Sequence, residues 1–181
     1  MVSIEGNAAF NDTFRADNLA LASGAFNGNN ATFAGGVAAA SGRLDWAGGD
    51  FTGTWTFGAG NIVNVTGAAN KRQVGGSIVN NGTVLWNAAA AFQGGNGAGF
   101  TNNGLFEAQA SASIAHTFGG RNTFTNAASG IVRASGGATL TFGSVSLVSD
   151  GGEFNATAGS AIVYSGGVAQ FNDGTRFTGP G

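Results

Sequence analysis

Short runs in which apolar and polar residues alternate recur along the chain, and they keep a common phase. Val84, Phe106, Val132, Phe154 and Phe177 occupy one position of the run, and two residues later come Trp86, Ala108, Ala134, Ala156 and Gly179. Between them the residue changes freely: Leu85, Glu107, Arg133, Asn155, Thr178. Residues i and i+2 of a strand share a face. The pattern therefore predicts strands stacked in register, with the large column turned inward and the variable column turned to water.

A second series marks the start of each unit. Aligned on an opening apolar residue, the units begin at Ile78 (IVNNG), Phe100 (FTNNG), Phe124 (FTNAASG), Leu147 (LVSDGG) and Phe171 (FNDG), so successive starts are separated by nearly the same length of chain. Earlier starts at Phe51, Phe26 and Phe10 are spaced less evenly, so residues 1–50 read as less regular than residues 51–181. A third alternating piece ends each unit: Ile114-His116-Phe118, Ala138-Leu140-Phe142 and Ile162-Tyr164. These align as a further inward column, with Phe118 and Phe142 on the same wall. Gly, Asn, Asp and Ser separate the pieces, residues that tolerate left-handed backbone and close their own turns. Helical periodicity is absent at useful length, and glycines end the Ala-rich stretch NAAAAFQGG (87–95) at once.

A unit of about 22–24 residues with two or three short strands describes one rung of a parallel β-solenoid, in which no rung buries its apolar face alone and stacking completes the core. About seven rungs at ~4.8 Å make a rod of roughly 34 Å. In that arrangement Phe100 and Phe124 stack as core plugs, and Asn102 and Asn126 form a ladder of side-chain amides in the turn. The alternative, an antiparallel β-sandwich or barrel, also shows short strands and Gly-rich turns. The near-constant period and columns that match without reversal of order favour the solenoid, as a single domain over residues 1–181.

Composition narrows the function classes. The chain holds 34 glycines, one proline (Pro180) and 9% charged residues, yet 43% of it is apolar and phenylalanine occurs 15 times. That content is enough for a core, which separates the chain from disordered linkers, and the lack of a Gly-X-Y period excludes collagen. A net charge of −2, with basic residues scattered apart from Lys71-Arg72, gives no footprint for nucleic acid. No apolar run reaches the length of a membrane helix. Cysteine is absent, which removes disulfides, thiolate metal sites and cysteine nucleophiles together.

GSIVNNGTVLW (76–86), GFTNNGLFEA (99–108), GGEFNATAGSAIVYSGG (151–167) and above all WTFGAGNIVNVTGAANKRQVGGSIVNNGTVLW (55–86) carry a resemblance. They are similar to the repeat units of autotransporter passengers and of filamentous-haemagglutinin-type adhesins of two-partner secretion. The resemblance spans roughly residues 40–178 and is one of texture, without an invariant signature. It implies a right-handed parallel β-helix, secretion to the extracellular medium or the bacterial surface, and a role in adhesion or as a rigid stalk. Neither the secretion-guiding cap nor the membrane barrel of those families is found in these residues, so the chain reads as an interior fragment of a longer surface protein.

Candidate chemistry is sparse. His116, the only histidine, falls in an inward column beside Leu140 and Ile162, and reads as a core or edge residue; a metal site would need a second imidazole. Glu107 and Arg133 sit at equivalent outward positions of consecutive rungs, the arrangement of a surface ion pair, although carboxylates and arginine on neighbouring rungs also serve polysaccharide lyases and hydrolases. Asp150, Glu153, Asp45 and Asp50 offer oxygens for calcium, but no G-G-x-G-x-D repeat accompanies them. Trp46, Trp55 and Trp86 share parity with Leu44, Phe57 and Val84, which points to core packing over sugar stacking. TWT (54–56) and TLT (139–141) do not recur rung by rung, so a Thr-x-Thr array is not expected. Sequons at Asn11, Asn30, Asn64, Asn81 and Asn155 are what an Asn- and Thr-rich chain produces by chance. No phosphate loop is present. The expectations are therefore a structural or adhesive segment without catalysis, with no cofactor, metal or catalytic residue. Its expected partners are copies of itself end to end, and carbohydrate or a host-surface ligand. Polysaccharide processing or passive carbohydrate binding on the same fold is the alternative.

Overall fold

The computed structural model describes residues 1–181 and contains strands and turns but no α-helix. The strands stack in parallel as a right-handed β-solenoid of about eight coils. At ~4.8 Å per coil the stack is about 38 Å long. Three faces enclose the core. The first is a nine-stranded sheet that includes Arg43–Trp46, Ile62–Val65, Thr83–Trp86, Leu105–Ala108, Ile131–Ala134 and Glu153–Ala156. The second and third belong to one sheet that bends. In the middle coils they are separate strands, such as Ala91–Gly95 and Gly99–Asn102. Near the two ends they run as single long strands, Asp50–Phe57 and Thr139–Asp150 among them.

The bend is local backbone chemistry. Asp12, Asn30, Gly53, Asn96, Gly119 and Ser144, one from each of six coils, all have φ between 50° and 74° at this corner. Turning a strand through a single left-handed residue keeps the alternation on either side in phase with its own wall. Gly76 shows why glycine is used where coils touch: at φ 67° a β-carbon there would collide with the carbonyl oxygen of Gly53 on the coil below.

On the first face the predicted register holds throughout. Val84 pairs with Phe106, Phe106 with Val132, Val132 with Phe154 and Phe154 with Phe177. Glu107, Arg133 and Asn155 form the outward column, as the alternation requires. On the third face Ile78, Phe100, Phe124 and Leu147 stack in order. The rings of Phe100 and Phe124 lie 5.1 Å apart at 5°, and Phe106 meets Phe124 edge-on at 5.6 Å. The three tryptophans are all buried, and each indole N–H donates to a carbonyl: Trp46 to Gly49, Trp55 to Thr52 and Trp86 to Ala90. Burying an indole without such a partner would forfeit a hydrogen bond.

Four expected alignments are displaced. Leu147 pairs with Ala169, and Phe171 lies two residues further along, opposite Ser149. Upstream, the Ile78 column continues through Trp55 and Ala31 at nearly the spacing of the later coils, because Phe51 and Phe26 stack on the second face. Followed through Trp55 and Ala31, the third-face column is evenly spaced there. Phe10 pairs with Gly28, while Ala8 meets Phe26. Finally, Ala112 and Ile114 align with Leu140 and Phe142, so His116 has no place beside Leu140 or Ile162. Phe118 is not on the inner wall. A bulge after Gly94 sets it opposite Gly95, where its half-buried ring lies 5.3 Å from the Arg72 guanidinium.

Coil length varies because turns absorb insertions and strands do not. On the first face the coil from Val2 to Leu19 is short, and the coil from Phe106 to Val132 is half as long again. A longer excursion at residues 34–42 is held by Asp17, whose carboxylate accepts the backbone N–H groups of Val37 and Ala38 at 2.8 and 2.9 Å. These bonds, the one from Ala38 foremost, draw its pKa below the ordinary carboxylate value.

Candidate functional site

A ladder of buried amides runs along the corner between the third and first faces. Asn80, Asn102 and Asn126 are fully buried in consecutive coils. Asn80 Nδ2 donates to Asn102 Oδ1 at 2.8 Å, and Asn102 Nδ2 donates to Asn126 Oδ1 at 2.9 Å. The ladder ends on the Glu153 carbonyl, to which Asn126 Nδ2 donates at 2.9 Å. Further bonds from Asn80 to the Leu105 carbonyl and from Asn102 to that of Ile131 tie the ladder to the first face. Coil-to-coil spacing matches an amide to the amide above it, which is why the same residue recurs here.

Outside, a second ladder runs across the first face. Asp45 Oδ1 accepts from Asn64 Nδ2, and Asn64 Oδ1 accepts from Asn87 Nδ2, both at 2.7 Å. Asn64 is thereby buried among its partners.

The candidate residues do not converge. His116 lies near the corner of the second and third faces, opposite Gly94, half-buried and with Nδ1 unpaired. The buried amide of Asn122 also borders Gly94, and its Oδ1 is likewise without a donor. Glu107 and Arg133 are register neighbours, but the expected ion pair is not formed: Glu107 Oε1 accepts from Ser135 Oγ at 2.7 Å instead. The ion pairs that exist are Arg43 with Asp45, Arg72 with Asp50, and Arg176 with Glu153, at 2.9, 3.4 and 3.1 Å. The Thr178 hydroxyl, and after it Arg176, hold the Glu153 carboxyl below its ordinary pKa. Asp150 accepts from Asn172. Asp45 and Asp50 thus face different walls, and no three acidic or imidazole groups are gathered as metal ligands.

No protein-family model, curated protein or solved structure matches the chain. What can act is therefore read from its surfaces.

Three further features bear on what the chain can do, and of these the first, a buried lysine, was not anticipated. Lys71 is fully buried on the second face, stacked on Phe92, with Nζ donating to the Ala69 carbonyl. Burial lowers its pKa, since a charge in an apolar wall is poorly solvated. Its parity could have announced it, because Lys71 and Gln73 alternate with Arg72. The second feature is an open end. The last coil surrounds a concavity of about 350 Å³ lined by Phe142, Phe154, Tyr164, Phe171 and Phe177, with Phe171 and Phe177 46% and 66% exposed. The third concerns threonine. TWT (54–56) and TLT (139–141) lie on different faces, and although Thr54 and Thr56 share the third face with Thr123 and Thr125, Ser77-Ile78-Val79 and Gly99-Phe100-Thr101 lie between them, so Thr-x-Thr does not recur rung by rung, as expected. No helix is long and apolar enough to cross a membrane.

Proposed function

We propose that this chain is a structural or adhesive segment of a secreted or surface-anchored bacterial protein, a stiff rod whose work is reach and presentation. The observation that carries the reading is the unbroken parallel pairing of both sheets from the first coil to the last. Every coil is hydrogen-bonded to the next and packed on a continuous apolar column, so bending the rod would break several bonds at once. Export as an unfolded chain followed by folding outside suits a sequence without cysteine. The similarity of the repeat units to those of autotransporter passengers and filamentous-haemagglutinin-type adhesins points the same way.

The two open ends suit a further coil or a second copy. An unpaired strand edge is a template for pairing, and at the carboxyl end the edge borders exposed Phe171 and Phe177. Light scattering over a concentration series should show mass rising with concentration; a constant monomer mass would remove self-association from the reading.

The test of the main proposal is incubation of the purified chain with a panel of polysaccharides, measuring both retained protein and released reducing or unsaturated ends. Retention without release supports an adhesive face, and neither supports a spacer. Release from any polymer would overturn the reading and direct attention to Glu107, Arg133 and Glu153.

A further inference from the structure

Four inward columns stop in the open at the carboxyl end, and each has its continuation at the opposite end of the same chain. The column at the corner of the third and first faces begins Phe14, Phe33 and Phe57. It passes into the ladder of Asn80, Asn102 and Asn126, reaches Ser149, and returns to an aromatic ring at Phe171. An amide set on Phe171 would have no amide to bond, whereas a ring would stack. Phe14 is such a ring, half-buried at the free start of the column and already stacked on Phe33 at 5.3 Å and 22°.

The other columns match as well. On the first face one column starts at Val2, 64% exposed, and stops at exposed Phe177. Val2 on Phe177 would repeat Val132 on Phe106, a pairing the chain uses inside. The neighbouring column starts at Ile4 and narrows through Ala134 and Ala156 to Gly179. Ala156 and Gly179 line the open concavity, and Ile4 of an added coil would stand over them. On the second face Tyr164 ends the column that starts at Gly6. Gly6 has no side chain to crowd that ring, whose buried hydroxyl has no partner within the chain.

The backbone edges fit only one way round. A carboxyl-end edge meeting an amino-end edge keeps the strands parallel, as at every coil contact from Val2–Glu5 to Arg176–Thr178. Two like ends with the same faces aligned would set the strands antiparallel and bring Phe177 toward Phe177, so no column would find its continuation. The matching residues at unlike ends therefore select a copy of this chain, in one orientation.

We propose that a second copy docks head to tail, its amino-terminal coil on the carboxyl-terminal coil, with Phe14 on Phe171 and Val2 on Phe177. The inference rests on the rod reading above and names the partner and register of its open end. The contact joins unlike surfaces, so each added copy leaves a fresh end and the assembly grows as a filament. Because the chain has no cysteine, Ser3→Cys and Thr178→Cys can be made as separate variants. Both positions are exposed, one residue on from Val2 and Phe177, and the proposed register sets them opposite each other within disulfide reach. Under mild oxidation their equimolar mixture should cross-link several-fold faster than either variant alone, and faster than Ser3→Cys mixed with Asn155→Cys one coil away. Thr178→Cys alone linking as fast as the mixture would overturn the proposal in favour of a tail-to-tail pair, and equal rates for positions 178 and 155 would overturn the register. In light scattering the wild-type mass should rise past the dimer with concentration, while Phe177→Asp, with its fold verified by far-UV spectrum and thermal midpoint, should stay a monomer. Should Phe177→Asp unfold, Val2→Asp at the other end replaces it. A constant wild-type mass, or a folded variant that assembles like wild type, overturns the docking and leaves the stalk reading standing, which the polysaccharide panel tests on its own.

Discussion

Asn102 is the position where the ladder is most exposed to attack. Its amide accepts from Asn80 and donates to Asn126 and to the Ile131 carbonyl, all with no access to water. Asn102→Ala leaves Asn126 Oδ1 without a donor, while Asn80 keeps its bond to the Leu105 carbonyl. A buried orphan acceptor costs about 1–3 kcal/mol, and each lost bond that was otherwise satisfied costs about 1 kcal/mol. The expected loss is about 3 kcal/mol, which for a domain of this size lowers the thermal midpoint by roughly 6–12 °C. Circular dichroism melting of the variant measures it, with Thr101→Ala one residue away on the outer face as the control, expected within about 0.5 kcal/mol. The cycle with Asn126→Ala sharpens the test. Removing the orphan acceptor itself should make the double variant less damaged than the two singles predict, by about 1 kcal/mol or more. Equal midpoints for Asn102→Ala and Thr101→Ala, or additive singles, would refute the ladder as a stabilising element.

The remaining expectations concern separate features. Phe106→Asp places a carboxylate among Phe100, Phe124 and Trp86 and should cost more than about 4 kcal/mol or abolish folding, whereas Glu107→Ala loses one half-buried hydrogen bond and should cost about 1 kcal/mol or less; equal midpoints would mean that the inward and outward columns are exchanged. Lys71 has a folded-state pKa below its unfolded value, so the unfolded chain binds the extra proton between the two, and Lys71 makes stability rise with pH through that window. Lys71→Met should raise the midpoint at neutral pH and flatten the rise toward alkaline pH; a fall at neutral pH would show that the ammonium is well paired. Asp17→Ala releases the N–H groups of Val37 and Ala38, and limited proteolysis should then cut within residues 34–42 faster than in wild type, with an unchanged rate counting against the carboxylate as the loop's anchor.

The first face was legible because its strands keep one phase and are bounded by Gly and Asn turns, so Val84, Phe106 and Val132 could be aligned by position alone. The Asn102 and Asn126 ladder was legible for the same reason. His116 was misplaced because a corner of variable length precedes it. Ile114 lies closer along the chain to Ala108 than its partner Phe142 lies to Ala134, so the shared Thr-Phe endings of 100–118 and 124–142 coincide in sequence but not in space. The expected Glu107–Arg133 pair is not formed, because register adjacency places two backbones side by side without fixing which donor a side chain takes, and Glu107 Oε1 takes the Ser135 hydroxyl. That Thr54 and Thr56 share a face with Thr123 and Thr125 was hidden because Phe51, and not Trp55, was followed as the coil start. The unpaired groups of His116 and Asn122 have no sequence signal, since only the packing of Gly94 brings them to one corner.

The central claim is that the coils stack in this register as a stiff rod, and one distance tests it. Asn18 and Arg176 are both exposed and belong to one outward column of the first face, seven strand spacings apart. The chain has no native cysteine, so Asn18→Cys and Arg176→Cys can carry a spin label each without further changes. Pulsed electron resonance should give a single narrow distribution at about 34 Å between the backbone positions, allowing for the label arms. A broad distribution would contradict the stiffness, and a narrow one well short of that distance would contradict the stacking itself.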